Sequence, residues 1–220
     1  HFPHHRWPAA PDRKTSTLHE RLKQAGAQFG SYNGWERANW FAAPDDDTSH
    51  DSTQTWNRDG PWAARIQEEC QAVRDNVGVL DLPGFSRFIL SGAGAADWLD
   101  SRIAGALPKV GRMTLAYFPD ERGRILTEMS VLRFGEDLFT LITAAAAQWH
   151  DKELLTSTLP DGLELADTTA DVGTLIVTGP KSRDLLQGIV SGDLSLPWLS
   201  HQSAKAAGHP CLLVRVSFAG

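Results

Sequence analysis

The sequence predicts an α+β fold made of two ferredoxin-like strand–helix–strand repeats, the second of them incomplete. The main observation is an internal repeat between FILSGAGAADWLD (88–100) and LIVTGPKSRDLLQ (175–187), in which Gly92 aligns with Gly179. Each copy reads as an apolar strand, a turn at a Ser/Thr-Gly pair and a helix. A run of strand-like segments follows the first copy, whereas one such segment follows the second.

Residues 1–60 differ in composition from the rest and are predicted to form a separate arm. They are rich in Pro, Trp, His and Asn, and they hold one short helix between a Thr17-x-x-Glu20 capping box and Gly26. The segment PDDDTSHDST (44–53) has almost no apolar residue to bury. It therefore predicts an exposed, mobile acidic loop.

Residues 61–220 are predicted to form the main domain, which begins with a helix at Pro61 and stops that helix at Gly78. Apolar residues recur at helical spacing along it and form one stripe, which consists of Trp62, Ile66, Cys70, Val73 and Val77. This stripe predicts a buried thiol at Cys70. Two cysteines are too few for a disulfide scaffold, so a reducing, cytoplasmic location is expected.

The strands that follow the first copy are marked by apolar segments and by the turns between them. The predicted strands are MTLAYF (113–118), ILTEMSVLRF (125–134), LFTLIT (138–143) and, after the second copy, CLLVRVSF (211–218). The second half lacks counterparts of the strands at 124–143. Without those strands, one edge of its sheet would expose unpaired backbone groups. We therefore expect the chain to be a truncated piece of a longer protein.

Composition and motifs exclude several function classes. The formal net charge of −6 argues against a nucleic-acid interface, and no apolar run is long enough to span a bilayer. Gly92-Ala93-Gly94 lacks the third glycine of a dinucleotide loop and predicts a simple strand-to-helix turn. The spacing of His1, His4 and His5 matches no zinc pattern, so no metal site is predicted.

Glu128 is the residue that does not fit its strand. Alternation along 125–134 places Glu128 with Ser130 on one face, and Met129 with Val131 on the other. A carboxylate in the middle of a long strand is either a solvated surface charge or an acid that faces a cavity. The pattern alone favours the solvated charge, since faces of antiparallel sheets are often wet.

The segment 108–143 resembles the aminomethyltransferase (T-protein) family of the glycine cleavage system. The likeness is closer to the C-terminal folate-binding region of flavin-dependent dimethylglycine and sarcosine dehydrogenases. The residues that carry it are PKVG (108–111), RGR (122–124), the strand with Glu128, VGVLDLPGFSRF (77–88), TGPKSRDLLQ (178–187) and DLSLPWL (193–199). The start, with TSTLHERLKQAGAQFG (15–30) and GWERANWF (34–41), looks like the bridge that leaves the flavin domain in those dehydrogenases.

The resemblance implies a two-site enzyme. A flavin domain, with FAD and absent from this chain, would oxidise an N-methyl amine. The region represented here would bind tetrahydrofolate, which captures the one-carbon unit as methylenetetrahydrofolate. The family's C-terminal barrel is absent from the sequence too. We therefore expect the chain alone to hold no flavin and to be inactive.

The resemblance also implies roles for single residues. Glu128 matches the acid that contacts folate near its reacting nitrogens and is the candidate catalytic residue. Val131 and Thr143 match positions that line the pterin pocket, and Phe118 lies near its entrance. Phe218 stands where relatives usually carry Tyr, so a hydroxyl contact is missing. If these assignments hold, Glu128 faces a concavity shared with Phe118, Val131 or Thr143.

Two other functions stay open. One is a non-catalytic folate-binding or assembly module that kept the fold and lost the chemistry. The other is a stand-alone glycine cleavage aminomethyltransferase, which the bridge-like residues 1–41 disfavour. Glu128 favours a catalytic segment over the non-catalytic module, whereas Phe218 and the truncation leave room for that module.

Overall fold

The computed structural model describes residues 10–49 and 60–217, which divide into two units. The first unit contains His1–Gly84 and Gly173–Leu185, and the second contains Phe85–Val172 and Leu186–Gly220. In chain order the elements are α1 (His19–Gln24), β1 (Ala27–Tyr32), β2 (Trp35–Phe41), α2 (Trp62–Asp75), β3 (Gly78–Asp81), β4 (Phe85–Ser91), α3 (Ala95–Arg102), β5 (Met113–Pro119), β6 (Ile125–Gly135), β7 (Leu138–Ala144), α4 (Gln148–Thr156), β8 (Glu164–Asp167), β9 (Leu175–Thr178), α5 (Ser182–Gln187), β10 (Val190–Ser191), β11 (Ser200–Ala206) and β12 (His209–Arg215). The α+β class is confirmed.

The first unit contains a β1–β2 hairpin that the sequence analysis missed. Its turn consists of Asn33 (φ 53°) and Gly34 (φ 83°), and Tyr32 pairs with Trp35 across it. Two consecutive left-handed residues give the twist that joins antiparallel strands most easily. Trp35 and Trp40 are buried, so the tryptophans of this polar stretch serve as the apolar anchors of the hairpin.

Helix α1 ends as predicted but begins differently. Gly26 has a left-handed φ of 87°, and its N–H bonds the Lys23 carbonyl. The helix begins at His19, however, and the predicted capping box does not form. The Ser16 hydroxyl accepts the Leu18 N–H instead, at 3.2 Å. This short-range hydrogen bond to the Ser16 hydroxyl therefore takes the place of the predicted Thr17 cap.

The expectation that Cys70 is buried is wrong. Cys70 is exposed, and α2 contains no fully buried residue. At about 100° per residue, Cys70 lies about 80° around the helix from Trp62, at the edge of the stripe. The other four apolar residues of the stripe are half-buried.

The acidic segment predicted to be mobile is described only up to residue 49. In that part, Asp46 accepts hydrogen bonds from the Arg65 guanidinium at 2.8 and 3.1 Å and from the Ala43 N–H at 2.8 Å. These donors lower the pKa of Asp46, the Arg65 guanidinium most strongly. Residues 50–53 lie outside the described residues, so the mobility of the loop stays a prediction.

The second unit is built on a five-stranded antiparallel sheet of order β5-β6-β7-β4-β8. The strands predicted at 113–118, 125–134 and 138–143 correspond to β5, β6 and β7. One face of the sheet packs against α3 and α4, which contribute Leu99 and Leu155 to the core. The core residues on the strands include Phe88, Leu90, Ala116, Phe118, Met129, Val131, Phe139 and Leu141.

Both copies of the internal repeat form a strand, a glycine turn and a helix, as predicted. Gly92 has φ 119° and Gly179 has φ 113°. An added Cβ would lie 2.5 Å from the Gly162 carbonyl oxygen at the first site and 2.5 Å from the Asn76 carbonyl oxygen at the second. Each copy therefore needs glycine for two reasons: its φ is positive, and a backbone carbonyl oxygen lies where a Cβ would be. The pairing of the copies as ferredoxin-like repeats stays a prediction.

The Gly92-Ala93-Gly94 segment is a simple strand-to-helix turn, which confirms the prediction. The Asp137 carboxylate, from the β6–β7 turn, accepts hydrogen bonds from the Gly94 and Ala96 N–H groups at 3.1 and 2.9 Å. These N–H donors, that of Ala96 most strongly, lower the pKa of Asp137. The helix terminus that a dinucleotide loop would offer to a phosphate is already capped by a side chain.

The second half of the chain holds more strands than predicted. Strands β10, β11 and β12 form a three-stranded sheet, and β11 pairs with β12 along its whole length. The expectation of a single strand after the second copy is therefore wrong. The sequence of β11, SHQSAKA, has almost no β-branched or aromatic residue, so it gives no strand signal.

His201 on β11 provides a pH-dependent contact within the second unit. Its Nε2–H donates to the Arg133 carbonyl at 3.0 Å, and burial lowers the pKa of the imidazole although its hydrogen bonds act against this. The unfolded chain therefore takes up a proton first as the pH falls below about 6.5, which destabilises the fold. We expect the free energy of unfolding to drop between pH 7.5 and pH 5 in denaturant titrations. The His201→Gln variant should lose part of that drop, and an equal drop in both proteins would contradict the assignment.

Candidate functional site

Glu128 lies in the middle of β6 with its side chain on the solvent side of the sheet. Met129 and Val131 on the same strand are fully buried in the core, whereas Glu128 itself is exposed. Tyr117 on β5 stands directly opposite Glu128, and Leu115 stands opposite Ser130. Directly opposite residues share a face, so Leu115 and Tyr117 flank the carboxylate.

The surface around Glu128 is apolar and open. The side chains of Leu115 and Tyr117 are 48% and 38% exposed. A β-bulge follows at once, because Phe118 pairs with Thr127 and Pro119 with Ile125, which leaves Leu126 without an opposite residue. Within residues 10–49 and 60–217, the Glu128 carboxylate has no hydrogen bond or ion pair.

The β5–β6 turn fixes the register that places these side chains together. The Asp120 carboxylate accepts the N–H groups of Arg122 and Arg124, both at 2.9 Å, and the Arg124 guanidinium at 2.7 Å. These bonds, with the Arg124 N–H contributing most, lower the pKa of Asp120. The turn was predicted, but Leu115 and Tyr117 were missed. Counting back from Asp120 to pair the two strands could have found them.

Phe118, Val131 and Thr143 lie on the opposite face of the sheet from Glu128. Phe118 and Val131 belong to the hydrophobic core, and Thr143 is buried next to it on β7. Alternation along β6 separates Glu128 from Val131, because they are three residues apart. The expectation that Glu128 shares a concavity with these three residues is therefore wrong. Phe218 lies outside the described residues.

The Thr143 hydroxyl is engaged by a buried carboxylate. It donates to Asp151 on α4 at 2.5 Å, and His150 Nδ1 lies 2.9 Å from the other oxygen of the same carboxylate. Asp151 is completely buried and His150 is exposed. The arrangement ties the end of β7 to α4 and commits the Thr143 proton to Asp151, so Thr143 is left with only acceptor capacity towards a ligand.

One group of residues has the chemistry of metal ligands. Asp12, His19 and Glu36, all in the first unit, place their ligand atoms within 4.8 Å of one another. His19 and Glu36 are buried. The sequence analysis predicted no metal site, because the three residues are far apart in the chain and match no ligand spacing.

The Glu128 face combines a carboxylate that has no partner among the described residues with exposed leucine and tyrosine side chains. A planar, partly aromatic ligand can stack on the tyrosine ring of such a surface while its nitrogens face the carboxylate. The fold around this face is that of aminomethyltransferases. The glycine cleavage system aminomethyltransferase T from Bartonella henselae matches with a TM-score of 0.65 and 21% identity, over 86% of this chain and 46% of that protein.

The sequence comparison identifies the family. The model of the GCVT N-terminal domain matches residues 18–220, so the chain belongs to this family. Human mitochondrial dimethylglycine dehydrogenase is 29% identical over 98% of the chain, and mouse mitochondrial sarcosine dehydrogenase is 29% identical over 100%. The resemblance drawn from the sequence is confirmed. The chain spans about a quarter of each dehydrogenase, 25% and 28%.

No helix in the described ranges is long and apolar enough to cross a membrane. The cytoplasmic location stays a prediction, and the names of both dehydrogenase relatives state that they are mitochondrial.

Proposed function

We propose that the chain is the tetrahydrofolate-binding segment of a flavin-dependent dehydrogenase that demethylates an N-methyl amine such as dimethylglycine or sarcosine. FAD and the amine belong to another domain of the same protein. The segment captures the one-carbon unit as methylenetetrahydrofolate. The observation that carries the proposal is the Glu128 carboxylate, which lies on an exposed apolar face of the sheet and has no partner in the part of the chain that the structure describes.

Glu128 is the catalytic residue of the proposal. When the methylene bridge forms, the two reacting nitrogens of folate each give up a hydrogen, and both hydrogens end on the departing amine. A carboxylate beside these nitrogens accepts a proton transiently and stabilises the positive charge that develops on the attacking folate nitrogen. Glu128 has no cation or donor of its own within the described residues, so its oxygens are available for this task.

Leu115 and Tyr117 supply the apolar wall of the proposed site. Their exposed side chains flank Glu128 through the β5–β6 register. Phe118, Val131 and Thr143 act from the other side of the sheet, where their packing fixes the strands that carry this wall. Their proposed role is therefore to hold the strands of the site in position.

A charge placed in the apolar wall tests the binding part of the proposal. Leu115→Asp in the intact protein puts a second carboxylate beside Glu128 and removes apolar contact. We expect the Kd for tetrahydrofolate, measured by calorimetry, to rise by at least tenfold, since about 1.4 kcal/mol of lost contact and added repulsion suffices.

Leu212→Asp provides the matched control, because Leu212 is an exposed leucine on β12, 39% accessible against 48% for Leu115. It should leave the Kd unchanged. Equal binding by wild type and Leu115→Asp would remove the proposed site. Tight binding without any methylenetetrahydrofolate formation in the intact protein would favour a non-catalytic folate-binding module.

A further inference from the structure

We propose that Asp12, His19 and Glu36 form a binding site for a divalent transition-metal ion of the Zn²⁺ type. The site lies in the first unit, on elements that the proposed folate chemistry does not use. Its ligands are one imidazole nitrogen and two carboxylate oxygens, a set that suits borderline divalent ions.

Two of the three distances between the ligand atoms are close to those around a single tetrahedral ion, and all three ligand atoms lie within 4.8 Å of one another. His19 Nε2 lies 3.0 Å from Asp12 Oδ1 and 3.6 Å from Glu36 Oε2. Two ligands bound at about 2.0–2.1 Å to one tetrahedral Zn²⁺ stand roughly 3.3 Å apart. The two distances bracket this value, so small side-chain movements suffice to admit the ion.

The charge and burial of Glu36 are the second observation. Glu36 is only 6% exposed, and within residues 10–49 and 60–217 its carboxylate forms no ion pair with a lysine or arginine side chain. Its Oε1 accepts the Asp12 N–H, whereas Oε2 accepts no hydrogen bond from the described residues and faces His19 at 3.6 Å. Burying a carboxylate without a cation is costly. A divalent ion between Glu36 and His19 would supply the missing charge.

The fold holds the ligands from three places. His19 opens α1 and is only 4% exposed, with its ring against Phe29 at a centroid distance of 4.2 Å. Glu36 lies on β2, and Asp12 reaches it from the preceding loop in a left-handed conformation, φ 61°. The Asp12 carboxylate is 60% exposed, so the site is open to solvent on one side. An ion can enter there and keep a water ligand.

The Lys23 ammonium already pairs with one of the three ligands, Asp12. It lies 2.6 Å from Asp12 Oδ1, and the side chain is 40% exposed on a flexible stem. A metal ion would displace this ammonium into water, so the two cations compete for Asp12. Removal of the ammonium should therefore strengthen metal binding.

The other ring nitrogen of His19 sets the expected strength of the site. His19 Nδ1 is buried and has no hydrogen-bond partner in the described part of the chain. A histidine that binds metal usually donates this second N–H to an acceptor, and loss of that partner costs about 10–100-fold in affinity. We therefore expect a Kd in the micromolar range, weaker than that of closed structural zinc sites.

The test is Zn²⁺ titration of the purified protein by calorimetry, together with the visible spectrum after Co²⁺ addition. We expect one equivalent of bound Zn²⁺ and the intense Co²⁺ absorption of a tetrahedral site. Glu36→Gln and Asp12→Asn, which keep size and remove charge, should each weaken binding by at least tenfold. Lys23→Gln should tighten it by about two- to fivefold, the strength of an exposed ion pair.

Two controls separate this site from surface histidines. His209→Gln removes an exposed histidine on β12, and a variant with Gln at positions 1, 4 and 5 removes those near the N-terminus. Neither should change the Zn²⁺ affinity. Loss of binding in either control, equal affinity in wild type and Asp12→Asn, or no tetrahedral Co²⁺ spectrum would overturn the proposal. The proposed folate site uses none of these residues, so an experiment can contradict one proposal and leave the other standing.

Discussion

The Glu128→Gln variant of the intact enzyme is expected to form methylenetetrahydrofolate about 10²–10⁴-fold more slowly than wild type, the usual loss for an acid–base group. The amide keeps the size of the side chain but cannot accept the proton. The flavin should be reduced by the amine at the wild-type rate, since oxidation takes place in another domain. Because Glu128 is exposed and pairs with no other described residue, its replacement costs the fold little.

Two rates measured side by side decide this prediction: the yield of methylenetetrahydrofolate with time and the rate of flavin reduction. Glu121→Gln, a change of an exposed acid in the turn of the same hairpin, is the matched control and should leave both rates unchanged. A fall in both rates for Glu128→Gln would show that the residue supports the fold. No change in either would make Glu128 a solvated charge of the strand.

The Gly92→Ala variant is expected to lose on the order of 3 kcal/mol of unfolding free energy. Its φ of 119° lies outside the range that alanine tolerates, and the new Cβ would meet the Gly162 carbonyl oxygen at 2.5 Å. The atom that the Cβ meets at this distance is a backbone atom, so no side-chain rotation can relieve the contact. Urea denaturation of wild type and variant measures the difference.

Gly94→Ala separates the two causes, because Gly94 lies two residues further along. It also has a positive φ, 89°, but an added Cβ meets nothing within 4 Å. Only the conformational cost, about 1–2 kcal/mol, should then appear. If the two variants lose equal stability, the close approach to Gly162 has no energetic weight and the repeated glycine is explained by φ alone.

Local signals in the sequence predicted the parts of the fold that depend on neighbouring residues. Strands β5, β6 and β7 were predicted because apolar alternation and polar turns define them without reference to the rest of the chain. The β1–β2 hairpin could also have been predicted, since Asn33-Gly34 is a strong two-residue turn signal. Strand β11 could not, because its polar sequence becomes a strand only by pairing with β12.

The candidate site was predicted one residue at a time and not as a surface. Alternation along β6 placed Glu128 and Val131 on different faces of the sheet, and this was sufficient to exclude a shared concavity. The neighbours of Glu128 depend instead on the pairing of β5 with β6, which brings Tyr117 across from it. Pairing between strands is a tertiary property, so single-strand patterns did not name Leu115 or Tyr117.

The Asp137 carboxylate joins the far end of the β6–β7 hairpin to the start of α3. Strand β6 could in principle slide along its partners, and a slip of one residue would turn Glu128 towards the core and Val131 towards water. Such a slip would also pull Asp137 away from the two N–H groups that it caps. The hydrogen bonds between Asp137 and the start of α3 therefore oppose a change of register in β6. They help to keep Glu128 on the solvent side from the opposite end of the hairpin.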